Sequence, residues 1–434
     1  MTAPRADADG SPDRGTRYRR KLLVLLSSAT FFEGYDNFVL AFVLALVLGD
    51  LGGSESDAGW IRAVTLLGAI PAFLLSAQAD RIGRKRLLLI TILGYTIAAA
   101  LTAGAPNLAW LTGSQFLAQV FLGAEWAVAI TIVVEEFPRR HRGRALGIVT
   151  SMNTLGGIFV GVLAFAGLAS TPLGWRAFYV VALLPLILIA IGRRGLRETE
   201  RFEAVRDDAR SARLDHTSLL EPWRPEFRTA VLAVGLVTFF RFFGVSAGAF
   251  WWAYYAQQEV GMSVSTSGLY LAAAGLVGAA GFIVGGRLMD RIGRKRAFLL
   301  YLAGALVFGT WTFQVTDELL MLPVLCAGIF FSLGSVAMTS AFSTEPFPTY
   351  VRSRASAWCR NAFEIPGGVL GALVVGSLGD HVDGPVGSIG DAMSLVTIAT
   401  LPAAMLVAWR FVPETNGEDM VAMDEGAVAQ EARA

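Results

Sequence analysis

A seven-residue string occurs twice in this chain. Asp80-Arg81-Ile82-Gly83-Arg84-Lys85-Arg86 returns unchanged as Asp290-Arg291-Ile292-Gly293-Arg294-Lys295-Arg296, 210 residues further on. A second, unlinked pair keeps the same offset. Glu135, Phe137, Pro138, Arg142 and Arg144 match Glu345, Phe347, Pro348, Arg352 and Arg354. Two motifs sharing one offset define two homologous halves, so any fold proposed for one half must also serve the other.

Each half is made of membrane-length segments. The chain is 54% hydrophobic, with a mean hydropathy of +0.55. Apolar runs of about 18 residues or more read as membrane helices. Twelve such runs fall near 22–49, 58–79, 87–105, 108–136, 145–169, 174–192, 229–258, 265–289, 297–315, 318–345, 355–379 and 390–412. A bilayer admits only helices or closed barrels, and these runs are too long and too uniformly apolar for barrel strands. The expectation is an all-α membrane protein with twelve transmembrane helices in two pseudo-symmetric six-helix bundles. Its expected parts are a disordered N-terminus over 1–20, a first bundle over 21–192, a charged linker over 193–228, a second bundle over 229–413 and a tail over 414–434. In so apolar a chain, duplicated halves are the mark of a secondary transporter.

Charge is segregated by side. The stretch before the first run carries Arg14, Arg17, Arg19, Arg20 and Lys21, and the stretch after the sixth carries a series of arginines from Arg193 to Arg228. The alternate loops carry acids such as Asp50, Glu55, Asp57, Glu259, Asp317, Glu318, Asp380 and Asp383, with no Lys or Arg. By the positive-inside rule both termini are cytoplasmic and the protein sits in the cell membrane. The implied partners are the lipid bilayer, a small-molecule substrate and protons. No nucleic-acid partner is expected, and a monomer is expected to suffice. No metal-ligand cluster or nucleophile–base motif occurs, so neither an enzyme nor a cofactor is indicated. Cys326 and Cys359 lie in predicted helices and suggest no disulfide framework.

The repeated loops need more than a positive anchor. Asp80 and Asp290 end the second and eighth segments, where a carboxylate faces the negative end of its own helix and needs compensation. Gly83 and Gly293 suit a turn of very few residues. Asp-Arg-x-Gly-Arg-Lys in these positions resembles the signature of the major facilitator superfamily. The stretch from Glu135-Glu136-Phe137-Pro138 to Arg142-Gly143-Arg144 resembles that family's signature between its fourth and fifth helices. Pro413-Glu414-Thr415-Asn416-Gly417 resembles the sugar-porter sequence closing the last helix, with Asn416 where Lys is usual. The resemblance implies cytoplasmic gate networks that hold the halves together and break as the inside opens. Their members would be Asp80, Gly83, Arg84, Glu136 and Arg144 in one half, and Asp290, Gly293, Arg294, Glu345 and Arg352 in the other. Glu200 and Glu414 are candidates to join them.

Charges inside the apolar runs are costly, about 2.5–3.5 kcal/mol each on insertion scales, and so mark sites. Glu33 and Asp36 stand near mid-bilayer in the first segment, with an i, i+3 spacing that puts both on one face. Glu125 lies in the fourth segment and Arg241 in the seventh. Arg360, Asn361 and Glu364 lie in the eleventh. No histidine falls in a segment, so a proton carrier has to be a carboxylate, and low dielectric favours the neutral carboxyl. The acids are not duplicated: 210 residues after Glu125 the chain reads Leu333-Gly334-Ser335. Proton coupling is therefore expected at Glu33, Asp36 and Glu125, with substrate binding at Arg241, Arg360, Asn361 and Glu364. A static ion pair is the plainer reading of Arg360 and Glu364.

Glu33-Gly34-Tyr35-Asp36 resembles the acidic first-helix motif of proton symporters for aromatic acids, other organic acids and phosphate, with Glu33 where Asp is usual. Gly123-Ala124-Glu125-Trp126 resembles the fourth-helix motif of metabolite and phosphate symporters. The resemblance implies proton symport of a small organic anion by alternating access. Metabolite efflux, sugar uptake and a transporter-like sensor are the alternatives. Trp251, Trp252, Tyr254 and Tyr255 are expected to form an interfacial belt beside lipid-facing phenylalanines, with stacking on the planar body of a carboxylate held by Arg241 as the alternative for the rings of this segment. Arg62 and Arg176 are expected near the interface as well, with Arg62 able to attract anions.

Overall fold

The structure, a computed structural model, describes residues 12–76, 78, 82–137, 139–184, 220–380 and 387–414. In the first half the helices are α1 (Pro12–Leu51), α2 (Glu55–Leu67), α3 (Ala69–Ser76), α4 (Arg84–Ala103), α5 (Leu108–Glu136), α6 (Arg139–Phe165) and α7 (Arg176–Val181). In the second they are α8 (Pro225–Gln258), α9 (Val264–Ile292), α10 (Arg294–Thr312), α11 (Glu318–Thr344), α12 (Thr349–Trp358), α13 (Ile365–Gly379) and α14 (Ile389–Phe411). The expected second segment is α2 plus α3. The eleventh is α12, a π-helical turn over Cys359–Glu364, and α13. The sixth is described only from its start to residue 184. Nine helices among the described residues are long and apolar enough to cross a membrane.

Local chemistry sets the helix ends. On the face with acidic loops, Ser54, Asn107, Ser263, Asp317 and Ser388 each accept a backbone N–H from the first turn of α2, α5, α9, α11 and α14. On the opposite, basic face, α4 and α10 start without a side-chain cap. Gly83 and Gly293 precede them at φ of 99° and 94°, a region that L-residues with a Cβ avoid. The second segment breaks at Gly68 because Pro71 has no N–H to give the carbonyl of Leu67. Helix α1 begins at Pro12, inside the stretch expected to be disordered. A helix satisfies its own backbone hydrogen bonds, so it continues past the apolar run that sequence hydropathy detects.

The bundles meet on the acidic-loop side. Helix α2 lies so close to α13 that a Cβ at Gly59 would meet the Ala372 carbonyl, and one at Gly376 the Glu55 carbonyl. Helix α6 approaches α9 at Gly161 and Gly268 in the same way. Small residues of this kind let membrane helices gain dispersion contact that lipid does not offer. Hydrogen bonds join the bundles on this side. Tyr254 donates to Glu55 (2.6 Å), Gln257 to the Phe42 carbonyl (3.2 Å) and Ser265 to the Phe165 carbonyl (2.7 Å).

This contact overturns the expected aromatic belt. Trp251, Trp252, Tyr254 and Tyr255 are buried in the core that spans both halves. The end of α8 packs against α1 of the other bundle, so these rings meet protein instead of headgroups.

Candidate functional site

Glu33 and Asp36 on α1 and Glu125 on α5 are all buried, at 9%, 5% and 3% exposure. The orientation of α1 is set by two glycines. A Cβ at Gly34 would run into the Asn153 carbonyl of α6, and one at Gly156 into the Phe31 carbonyl. This close approach seats the Asn153 backbone of α6 directly against α1, one residue from Glu33. Arg360, from the opposite bundle, lies within electrostatic reach of Glu33, and so does Glu125. Asp36 lies within electrostatic reach of a different set, Tyr95 and Tyr179. Tyr35 turns its own hydroxyl to the Phe178 carbonyl at 2.8 Å. Glu33 Oε2, Asp36 Oδ1 and the hydroxyls of Tyr95 and Tyr179 are buried with no hydrogen-bond partner among the described residues. A buried carboxylate in such a setting is costly, and taking up a proton relieves that cost.

Arg241 is buried in α8 at 3% exposure. Its Nε donates to Ser335 Oγ at 2.8 Å and its Nη2 to the Ser332 carbonyl at 3.4 Å, both on α11. Glu364 of the π-helical turn acts on it electrostatically. Ser335 stands 210 residues after Glu125. The position that holds an acid in one half therefore holds a neutral arginine partner in the other.

A cavity of about 370 Å³ lies between the bundles. Its walls include Asn37, Phe38 and Phe42 of α1, Arg62 of α2, and Asn153 and Thr154 of α6. The second half adds Arg241, Phe242, Phe250 and Trp252 of α8, Thr312 of α10 and Ser332 of α11. Among the described lining residues the two charged ones are Arg62 and Arg241. The Arg62 guanidinium stands 5.3 Å from the Phe250 ring centroid, so a cation expected near the interface belongs to the central cavity. Glu33, Asp36 and Glu125 are not among these lining residues, and Arg360, Asn361 and Glu364 are not either. Arg360 is exposed, and Asn361 donates to the Ala357 carbonyl one turn back, at 2.9 Å. Their place on a π-helical turn is nevertheless one where membrane and soluble helices carry function. Sequence reasoning did not select Asn37 or Asn153, because neutral polar side chains enter apolar helices at little cost.

On the basic face the second-half loop residues converge. Arg294 pairs with Glu345 at 3.1 Å and with Asp290 at 3.7 Å. Glu414 accepts the backbone N–H groups of Arg294 (2.8 Å) and Lys295 (3.0 Å), which caps α10 against the turn at Gly293. Arg352 does not meet a carboxylate among its described contacts. It donates from Nε to the carbonyls of Thr344 (3.0 Å) and Phe347 (3.2 Å) at the end of α11, where a cation answers the helix dipole. Arg354, its neighbour in the motif, pairs with Glu221. In the first half Asp80 and the Arg84 side chain lie outside the described residues. Arg19 donates to the Glu136 carbonyl at 3.1 Å, and Arg144 is exposed.

The family profile of the Major Facilitator Superfamily matches residues 26–372. The chain belongs to this superfamily. Its fold matches that of a D-xylose–proton symporter with a TM-score of 0.74 at 18% identity, over 92% of this chain and 99% of that one. The niacin transporter NiaP of Acinetobacter baylyi is 26% identical over 389 residues, covering 83% of this chain and 87% of its own. A gallate transporter of Pseudomonas putida is 28% identical over 415 residues, covering 89% of this chain and 90% of its own. The facilitator is thus an integral membrane protein that moves small metabolites by secondary transport, and not an enzyme.

Proposed function

We propose that this facilitator imports a small, ring-bearing organic acid anion together with protons. One observation carries the reading: the cavity between the bundles is lined by two arginines and a set of aromatic rings, while the three buried carboxyl groups of α1 and α5 are not among its lining residues. A guanidinium offers a carboxylate two parallel hydrogen bonds, and rings beside it stack on a planar body. The volume of about 370 Å³ is at the small end of ligand cavities. The names of two relatives, for niacin and for gallate, both denote single-ring carboxylates.

In this reading Arg241 and Arg62 hold the anion, and Glu33, Asp36 and Glu125 take up protons. The face with acidic loops is external, as the charge pattern implies. The bundles then touch on the outer side, which corresponds to the inward-facing state of alternating access. The cluster of Asp290, Arg294, Glu345 and Glu414 joins residues of the second bundle only and is made while the outer side is closed. As a gate element it would brace the turn between α9 and α10 instead of breaking when the inside opens, with Asp80, Gly83, Arg84, Glu136 and Arg144 as its counterpart.

The test is uptake into proteoliposomes of nicotinate, benzoate and gallate, each beside its carboxamide, with and without an inward proton gradient. Gradient-driven accumulation of an acid but not of its amide is the expected result. Accumulation of both alike, or of the amide alone, overturns the anion reading.

A further inference from the structure

The two arginines of the cavity are held in different ways. Arg241 spends its Nε and Nη2 donors on Ser335 and on the Ser332 carbonyl of α11. Arg62 of α2 is half-buried and makes no hydrogen bond or ion pair among the described residues. Its guanidinium rests on the Phe250 ring of α8, 5.3 Å from the centroid. A guanidinium carries five N–H donors and no acceptor, so a ring contact leaves those donors unused.

The two cations also stand at different depths. Phe250 follows Arg241 by nine residues on the one continuous helix α8. That is two and a half turns, about 13 Å along the axis and on the other side of the helix. Arg62 lies just inside the closure of the bundles. Glu55, which accepts from Tyr254, stands two turns before it on α2, and Gly59, packed against α13, stands one turn before it. Chain direction brings Phe42 of α1, Trp252 of α8 and Phe313 at the end of α10 to the same end of the cavity. This end is an aromatic chamber around one cation, and rings beside a guanidinium suit both parts of an aromatic carboxylate. A cation without a counter-charge in an apolar wall is costly, and a ligand carboxylate removes that cost.

We infer that Arg62 and the rings around it form a second anion station, separate from Arg241, which captures an aromatic carboxylate from the acidic-loop side and passes it inward to Arg241. The station rests on the anion-symport reading above and divides its site in two. Phe250 is the placeholder. It belongs to the second bundle and Arg62 to the first, so parting the bundles at Glu55 and Tyr254 draws the arginine off the ring and bares its donors to the side that opens. Reclosure returns Phe250 to Arg62 and leaves the anion to the deeper cation.

The experiment is sided transport of nicotinate, benzoate or gallate, whichever the wild-type protein carries fastest, in right-side-out and inverted membrane vesicles. Arg62→Gln is expected to raise KM from the acidic-loop side about tenfold or more, the scale of one lost charged hydrogen bond, and to leave KM from the basic side within about twofold of wild type. Arg241→Gln is expected to raise KM from both sides, because both routes pass through it. Arg62→Lys keeps the charge without the paired donors. It gives a smaller rise, on the acidic-loop side alone, and serves if Arg62→Gln fails to reach the membrane. An equal rise from both sides merges Arg62 and Arg241 into one site and overturns the station, as does no rise from either side, and both results leave the anion reading standing. Failure of the wild type to carry any of the three acids from either side overturns the anion reading, and the station with it.

Discussion

In the first half, position 125 is a buried glutamate within electrostatic reach of Glu33 on α1 and Tyr95 on α4. At the matching position of the second half, Ser335 holds the guanidinium of Arg241. The repeat has kept the frame and reversed the chemistry at one point of it. The loop motifs, by contrast, are duplicated, down to the positive φ of Gly83 and Gly293. On the proposed reading, the duplicated loops serve a motion that both bundles share, while an anion and its proton need different partners, so the membrane interior is where the two halves can diverge.

Glu33→Gln is expected to break this division most completely. For one coupled proton, each unit of pH gradient supports about tenfold accumulation, and a carboxamide carries no proton. Accumulation in proteoliposomes should fall to simple equilibration while counterflow exchange persists. Accumulation that survives would move coupling to Asp36 or Glu125.

Arg241→Gln should come next. It removes a charge-assisted contact of about 1.5–3 kcal/mol, a loss of roughly 10- to 150-fold in carboxylate affinity. Binding of the matching carboxamide should change little. An equal loss for both would make Arg241 a structural partner of Ser335 and Ser332 and nothing more.

The loop motifs give a direct comparison of like with like. Arg294→Ala removes the partner of Glu345 and Asp290 and should slow transport roughly three- to tenfold at normal expression, the scale of about 1 kcal/mol. Arg84→Ala, at the duplicated position, should match it. Unequal rates would show that one bundle carries the gate.

Tyr254→Phe is the mildest. It deletes the hydrogen bond to Glu55 that helps hold α8 against α2, about 1 kcal/mol. That shifts the equilibrium roughly fivefold toward opening on the acidic-loop face. Spin labels on Ser56→Cys and Ser377→Cys, with Cys326 and Cys359 replaced, should report a larger population at long distance. An unchanged distance distribution would place the closure elsewhere, at α6 and α9.

Much of the site was readable because charge inside a bilayer is costly. That cost singled out Glu33, Asp36, Glu125 and Arg241, which the structure buries, and also Arg360 and Glu364, of which it leaves the first exposed and the second half-buried. The same cost gave no signal for Asn37, Asn153, Thr154 or Trp252, since neutral side chains of this kind pass into a helix nearly unnoticed. Arg62 was visible but misplaced. Counting residues from a loop gives a depth, and two turns into α2 is as compatible with a headgroup as with a cavity. The closure of α2 on α13 decides between them. Trp251 and Trp252 were misassigned for the same reason, because the interfacial preference of an indole holds only where lipid is the neighbour.

The sequence by itself determined the duplication, the membrane-length segments, the side on which charge accumulates and the short list of buried ionisable groups. These are properties of composition along a line, where hydropathy and charge act residue by residue. Only the tertiary structure decided that the arginines line the cavity and the buried acids do not. The rotation of α1 follows from backbone contacts at Gly34 and Gly156, and a helix's rotation about its axis depends on what packs against it. The seating of the Asn153 backbone against Gly34 is a contact between α6 and α1 that no periodicity within either helix encodes.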